Sequence, residues 1–150
     1  MSISYFYINV SLVLKLITEN KMEWLKKFDS VFFIAGRSLL GLYFIVPGLG
    51  KVFDFASTLA LMRMKGVPFS LFLLPLTVAI QVLGGVFLIL GKNLRLTAFL
   101  LFGLTIFINI FIHNFWDLNG DPSQSHEIQN FVKNLAIASG LLVLATKDKN

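Results

Sequence analysis

Four long runs of apolar residues constrain the fold of this chain more than any other feature of its sequence. Each run is close to the ~20 residues that a helix needs to cross a bilayer. None alternates apolar and polar residues in the manner of a membrane β-strand, and a backbone in lipid must satisfy its own polar groups. We therefore predict an all-α membrane protein, a four-transmembrane-helix bundle with spans at about 28–46, 69–90, 96–112 and 128–145.

The composition agrees with this prediction and excludes several function classes. Only 14% of the residues are charged, whereas soluble domains carry about 25%. The excess of basic residues lies mainly near the ends of the apolar runs, so membrane topology explains it better than nucleic-acid binding does. The chain has no cysteine, which excludes dithiol chemistry, thiolate nucleophiles and iron–sulfur ligation on this chain.

The connections between the runs are short or carry turn signals. Residues 91–95 form a hairpin loop between the second and third spans, and residues 119–122 read Asn-Gly-Asp-Pro, a turn signal before the fourth span. Residues 55–65 follow Asp54, a typical N-cap residue, and end at a Gly-Val-Pro sequence. We expect a short interfacial helix there, on the membrane surface or tucked over the bundle.

Lysine and arginine positions predict the orientation. With both termini in the cytoplasm, eight basic residues lie on the inner side and three, Lys51, Arg63 and Lys65, on the outer side. We predict a multi-pass protein of a bacterial inner membrane with both termini cytoplasmic. Residues 1–21 are short for a span, so we interpret them as an interfacial or poorly ordered extension to a four-helix domain of residues 22–150.

A series of short motifs runs in order from about residue 24 to residue 144. They are Arg37-x3-Gly41, Gly48-x-Gly50-Lys51, Gly66-Val67-Pro68, Gln81-x2-Gly84-Gly85 with Gly91, His113-x-Phe115-Trp116, and Phe131-x-Lys133-Asn134-Leu135. In order and spacing they resemble the DoxX family of small four-helix membrane proteins. That family often carries a carboxylate where this chain has Gln81, so the resemblance does not supply a buried partner of opposite charge for Arg37.

The resemblance implies a membrane setting close to redox chemistry. The family takes its name from a membrane subunit associated with a thiosulfate:quinone oxidoreductase or a terminal quinol oxidase. With no electron carrier evident on the chain, we expect an accessory, non-catalytic subunit of a quinone-linked complex, with a bound quinone and a redox-enzyme partner. A small-molecule transporter or binding protein and a purely structural scaffold are the alternatives. The bilayer is the expected environment, nucleic acid is not expected, and the oligomeric state is open.

Two polar residues lie deep in the first two spans. Arg37 and Gln81 are each nine residues, or about 13 Å, from the predicted inner face. An ionisable group at that depth must find partners inside the bundle. We expect the Arg37 guanidinium to donate to the Gln81 amide, as a site for a quinone carbonyl or as a polar clamp between helices.

A second polar layer is predicted near the outer face. The third and fourth spans each have a polar face, and we expect the two faces to meet. The face of the third span comprises Asn109, His113 and Trp116, and that of the fourth comprises His126, Asn130 and Asn134. Lys51 arrives from the end of the first span, and Trp116, Asp117 and Glu127 form the expected rim. This vestibule is either a small-molecule pocket or a set of hydrogen bonds that fixes helix ends.

Candidate ligand-binding residues are therefore Arg37, Lys51, Gln81, Asn109, His113 and Asn134. We predict no catalytic residues, because no nucleophile–base arrangement, P-loop or dinucleotide fingerprint is present. We predict no metal site, since the two histidines lack the spacing of a ligand motif.

Overall fold

The computed structural model describes residues 23–146, and the predicted extension of residues 1–21 lies outside the described residues. The described part is helical, without strands. Its elements are α1 (Asp29–Phe53), α2 (Phe55–Met64), α3 (Ser70–Leu90), α4 (Leu94–Phe111), a 3₁₀ turn (Phe115–Asp117) and α5 (Gln124–Ala145).

Four of these segments are long and apolar enough to cross a membrane. They begin at Asp29, Ser70, Leu94 and Gln124, and the third includes the 3₁₀ turn. At most 33% of each apolar window is buried within the described chain. Apolar helices that expose this much surface need a lipid environment, because water would not solvate it. The predicted fold class, an all-α bundle of four membrane helices, is confirmed.

The first membrane helix is longer than predicted. The expected span ended at Val46, but α1 continues through Pro47 to Phe53. Proline removes one backbone hydrogen bond and often ends a helix in water. Inside a bundle, neighbouring groups can compensate for that loss. Here the helix also packs closely past the proline, since a Cβ atom on Gly48 would lie 2.9 Å from the Val82 side chain.

Helices α1 and α3 cross at a pair of glycines. A Cβ atom built on Gly41 would lie 2.6 Å from the Gly85 carbonyl oxygen, and one built on Gly85 would lie 2.6 Å from that of Gly41. The two backbones can approach this closely only because neither residue has a side chain. Small residues have this role at membrane helix interfaces, where dispersion contacts replace the hydrophobic effect.

The short helix α2 is tucked against the bundle. Met62 is buried and, with Val67 and Leu74, forms an apolar cluster against which Phe107 and Phe111 of α4 pack. The predicted cap differs in detail, because Asp54 occupies the N-cap position without a side-chain bond to a backbone N–H. Its carboxylate instead accepts a hydrogen bond from the Ser57 hydroxyl.

Candidate ligand-binding cavity

A chain of hydrogen bonds crosses from α1 through α5 to α4. The Tyr43 hydroxyl donates to the Asn134 amide oxygen at 2.8 Å, and the Asn134 amide nitrogen donates to the Asn109 amide oxygen at 2.9 Å. The Asn109 amide nitrogen then donates to the Phe131 carbonyl at 3.0 Å. Both asparagines are buried. Because each amide finds a partner, the chain can hold polar groups inside the membrane at little cost.

A hydrogen-bonding contact between His113 and Glu127 continues this series toward the α4–α5 connection. His113 Nδ1 lies 2.6 Å from a carboxylate oxygen of Glu127, and both side chains are about one-fifth exposed, at 19% and 21%. Asn109 lies near the end of α4 and His113 lies two residues beyond that end, whereas their partners Asn134 and Glu127 run in the opposite order on α5. The pairing is therefore that of antiparallel neighbours. Of the two predicted polar faces, Asn109 and Asn134 meet, whereas His113 contacts Glu127 of the expected rim and His126 is exposed.

A cavity of about 230 Å³ lies beside these hydrogen bonds. Drug-sized ligands occupy pockets of roughly 300–1,000 Å³, so this cavity suits a smaller molecule or a head group. The residues that line it come from all four long helices: Tyr43, Phe44, Pro47, Lys51, Gln81, Thr105, Ile108, His113, Asn130, Lys133 and Asn134.

Two lysines give the cavity wall a positive charge. The Lys51 ammonium donates to the Pro47 carbonyl at 3.2 Å, and the Lys133 ammonium donates to the Asn130 amide oxygen at 3.0 Å. None of the lining residues is an aspartate or a glutamate. An ammonium group has three N–H donors, so each lysine retains donors beyond its one hydrogen bond among the described residues.

Gln81 is the least satisfied polar group on the wall. Its side chain is only 4% exposed, and its amide oxygen is buried and accepts no hydrogen bond from any described residue. A buried polar atom without a partner costs roughly 1–3 kcal/mol. Such an atom in a native structure calls for an explanation, and a ligand or ordered water in the adjoining cavity is the natural one.

The side chain of Arg37, a residue of α1, does not reach the cavity but contacts the C-terminal end of α3. One terminal guanidinium nitrogen, Nη1, donates to the carbonyl of Leu88 at 2.6 Å and to that of Ile89 at 2.7 Å. The predicted hydrogen bond from Arg37 to Gln81 is therefore wrong. The last carbonyls of a helix lack intrahelical donors and carry partial negative charge. They attract the guanidinium away from Gln81, which lies seven residues, or about 10 Å, back along α3.

The structure thus brings together most of the candidate residues. Lys51, Gln81, His113 and Asn134 line the cavity, and Asn109 supports Asn134 from behind the wall. Whether they bind a ligand stays a prediction. Of the expected rim, Glu127 holds His113. Trp116 and Asp117 do not line the cavity, because the 3₁₀ turn directs Trp116 onto the ring of Phe131, at 6.0 Å between centroids.

Most of the wall residues were not among the candidates from the sequence, including Tyr43, Thr105 and Lys133. Tyr43, Pro47 and Lys51 follow one another at intervals of four, so they share one face of α1. That spacing could have identified Tyr43 as a cavity residue. Thr105 precedes Asn109 by four residues and belongs to the same face of α4. Lys133 carried no such signal, because a lysine near a helix end usually extends to the membrane surface.

Comparison with known proteins identifies relatives over most of the chain. The DoxX family model matches residues 32–114. Inner membrane protein YqjF of Escherichia coli strain K12 is 31% identical over 121 residues, which cover 81% of this chain and 87% of the relative. Inner membrane protein YphA of the same strain is 30% identical over 129 residues, or 83% and 91% of the two chains. No solved structure matches the chain significantly.

Proposed function

Because this chain belongs to the DoxX family and is an integral inner-membrane protein, we propose that it is a non-catalytic accessory subunit of a quinone-linked redox complex. Its own part in that complex is to hold the quinone head group in the cavity. The observation that carries the proposal is the buried Gln81 amide oxygen, an acceptor on the cavity wall without a partner among the described residues, which suits a hydroxyl of the reduced head group, the quinol.

The chemistry of the wall fits a quinone head group. A quinone presents carbonyl oxygens that accept hydrogen bonds, and the cavity offers donors in the ammonium groups of Lys51 and Lys133. The Gln81 amide oxygen can accept from the hydroxyl of the quinol form. The apolar side chains of Phe44 and Ile108 on the same wall suit the face of a ring. When bound, a quinone supplies the capacity to carry electrons that this cysteine-free chain lacks.

A redox role of this kind requires a partner. The residues of the cavity bind and orient a head group and limit its contact with water, but electrons must come from or go to another subunit. We therefore propose a redox-enzyme partner that docks on the membrane protein. The lysine and arginine distribution favours cytoplasmic termini, which would place the cavity near the outer face.

Thermal unfolding in mild detergent tests the quinone site directly. A short-chain ubiquinone or menaquinone analogue should raise the unfolding temperature of the parent protein in a saturable way, because a ligand at 100 times its Kd stabilises by about 2.7 kcal/mol. The Gln81→Leu variant should lose most of this response. Ser139→Ala is the matched control, since Ser139 is exposed and bonds only to its own helix at Leu135.

Three results would contradict the proposal, and two of them would indicate another function. Equal thermal shifts in the parent and in Gln81→Leu would contradict a head group held by this cavity. Substrate uptake by proteoliposomes that contain only this protein would indicate a transporter. A co-purifying enzyme together with no quinone response would indicate a structural scaffold.

A further inference from the structure

Two lysines of the membrane helices come together at one cavity, although Lys51 lies in the last turn of α1 and Lys133 is exposed. Lys51 belongs to α1 and Lys133 to α5, and both line the same cavity. A cationic group within a membrane span is costly unless it pairs with an opposite charge, contacts water or binds a ligand. A neutral head group needs hydrogen-bond donors, but it does not need two positive charges.

Lys51 does not simply extend to the surface. Its ammonium group folds back by one turn along its own helix to the Pro47 carbonyl at 3.2 Å. Pro47 is itself part of the cavity wall, so this contact keeps the ammonium group beside the cavity. A lysine in the last turn of α1 that extended to the membrane surface would direct its ammonium group away from the Pro47 carbonyl.

No carboxylate of the wall neutralises these charges. The lining residues include neither aspartate nor glutamate. Glu127 on α5 contacts a residue of the wall, but its carboxylate lies 2.6 Å from the His113 ring nitrogen and not against either lysine. The positive charge of the two lysines is therefore uncompensated among the groups that line the cavity.

The size and the apolar part of the wall define the ligand further. A cavity of about 230 Å³ is far larger than one water, whose share of liquid volume is about 30 Å³, so it leaves room beyond a bare inorganic ion. Phe44, Pro47 and Ile108 supply an apolar portion beside the charged one. This combination suits a molecule with an anionic group at one end and a small apolar body.

We propose that the cavity binds a small organic carboxylate, with its negative charge at Lys51 and Lys133 and its apolar body against Phe44 and Ile108. This inference goes beyond the quinone proposal and does not rest on it. A cavity of this size holds one occupant, so a carboxylate and a quinone head group would compete for it.

The test compares two molecules of nearly the same shape. Benzoate is an anion at pH 7 and benzamide is neutral, so their affinity ratio measures the contribution of charge. Calorimetric titration of the full chain in a non-ionic detergent, corrected with empty micelles, should show benzoate binding at least tenfold more tightly than benzamide. In a variant with both Lys51→Met and Lys133→Met, the ratio should fall to near one. Lys92→Met, in the α3–α4 connection away from the cavity, should retain the parent ratio.

Several outcomes would overturn the proposal. Equal affinities for benzoate and benzamide in the parent protein would exclude a charge-selective site, and this comparison needs no variant to fold. Sulfate binding as tightly as benzoate would contradict an organic ligand. An unchanged ratio in the double variant would remove the two lysines from the site. Quinone binding without benzoate binding would overturn this inference and leave the quinone proposal intact. Benzoate binding without quinone binding would support this inference and overturn the quinone proposal.

Discussion

The Asn134 amide donates a 2.9 Å hydrogen bond to the Asn109 amide across the contact between α5 and α4. Both residues are buried, with Asn134 5% and Asn109 1% exposed. Asn134 also accepts a hydrogen bond from Tyr43, and Asn109 donates one to the Phe131 carbonyl. The bond between the two amides holds Asn134, which lines the cavity, against Asn109, which does not. Its loss should therefore affect both the stability of the bundle and the shape of the binding site.

Replacing both asparagines should destabilise the protein less than the sum of the two single replacements. Asn109→Leu leaves the Asn134 amide without its acceptor, at a cost of roughly 1–3 kcal/mol. The double variant with Asn134→Leu removes both amides, so its free energy of unfolding should be higher than the sum of the single losses predicts. Denaturation in mixed micelles measures all four proteins of this cycle. Additive losses would show that the two amides do not depend on each other.

The crossing of α1 and α3 should tolerate no added methyl group. In Gly85→Ala the new Cβ atom would lie 2.6 Å from the Gly41 carbonyl oxygen, so the helices must separate at a cost of about 1–3 kcal/mol. Gly103→Ala is the matched control, because a Cβ atom there has no neighbour within 4 Å among the described residues. The expected result is a lower unfolding temperature for Gly85→Ala alone. Equal unfolding temperatures for both variants would contradict the close crossing.

Arg37 should contribute to stability and not to ligand affinity. Arg37→Ala removes the donor to the carbonyls of Leu88 and Ile89, and a hydrogen bond from a charged group contributes about 1.5–3 kcal/mol. Since Arg37 does not line the cavity, the affinity for any ligand of the cavity should change less than twofold. Unfolding and ligand titration of the same preparation measure the two effects.

The control for Arg37 is Arg63→Ala, an exposed position on α2. Its stability and affinity should both match the parent protein. A tenfold loss of quinone or carboxylate affinity in Arg37→Ala, with little loss of stability, would show that Arg37 contributes to the binding site. It would contradict a site confined to the cavity beside Asn134.

The sequence predicted the four spans and the contact between Asn109 and Asn134, because apolar run length and i, i+4 spacing depend on local helix geometry. It did not predict the partner of Arg37. Depth along two helices shows which residues lie at one level, but it does not show where a long side chain turns, and helix-end carbonyls compete strongly for a guanidinium. The continuation of α1 past Pro47 was missed for a similar reason, since the close packing of Gly48 against Val82 involves another helix.

The loop before α5 should show an acid-shifted carboxyl. Hydrogen bonds from the Ser123 hydroxyl and the Ser123 backbone N–H, together with the charge of Lys65, lower the pKa of Asp121 below its ordinary value. Because the folded state lowers this pKa, any stabilisation from the ionised carboxylate is present above the unfolded-state pKa and is lost as the pH falls through the folded-state pKa.

Ser123→Ala tests that cause. It removes the side-chain hydrogen bond at 2.6 Å and leaves the backbone one at 2.8 Å, so the pKa of Asp121 should rise part of the way to its ordinary value. A ¹³C NMR titration of the labelled aspartate carboxyls measures the change. Ser125→Ala, two residues further along α5, should leave it unaltered. A pKa that stays low in Ser123→Ala would assign the shift to Lys65 and the backbone alone.

The orientation of the chain can be read with single cysteines, since the protein has none of its own. Lys92→Cys lies in the α3–α4 connection and Gly120→Cys in the α4–α5 connection, at opposite ends of α4. The excess of lysine and arginine near the termini and at residues 92–95 predicts that these parts face the cytoplasm. A membrane-impermeant maleimide added to intact cells without an outer-membrane barrier should therefore label Gly120→Cys and spare Lys92→Cys, and both should react after permeabilisation. Labelling of Lys92→Cys alone in intact cells would reverse the orientation and place the cavity near the cytoplasmic face, where a partner enzyme and its small-molecule substrates would reach it from inside the cell.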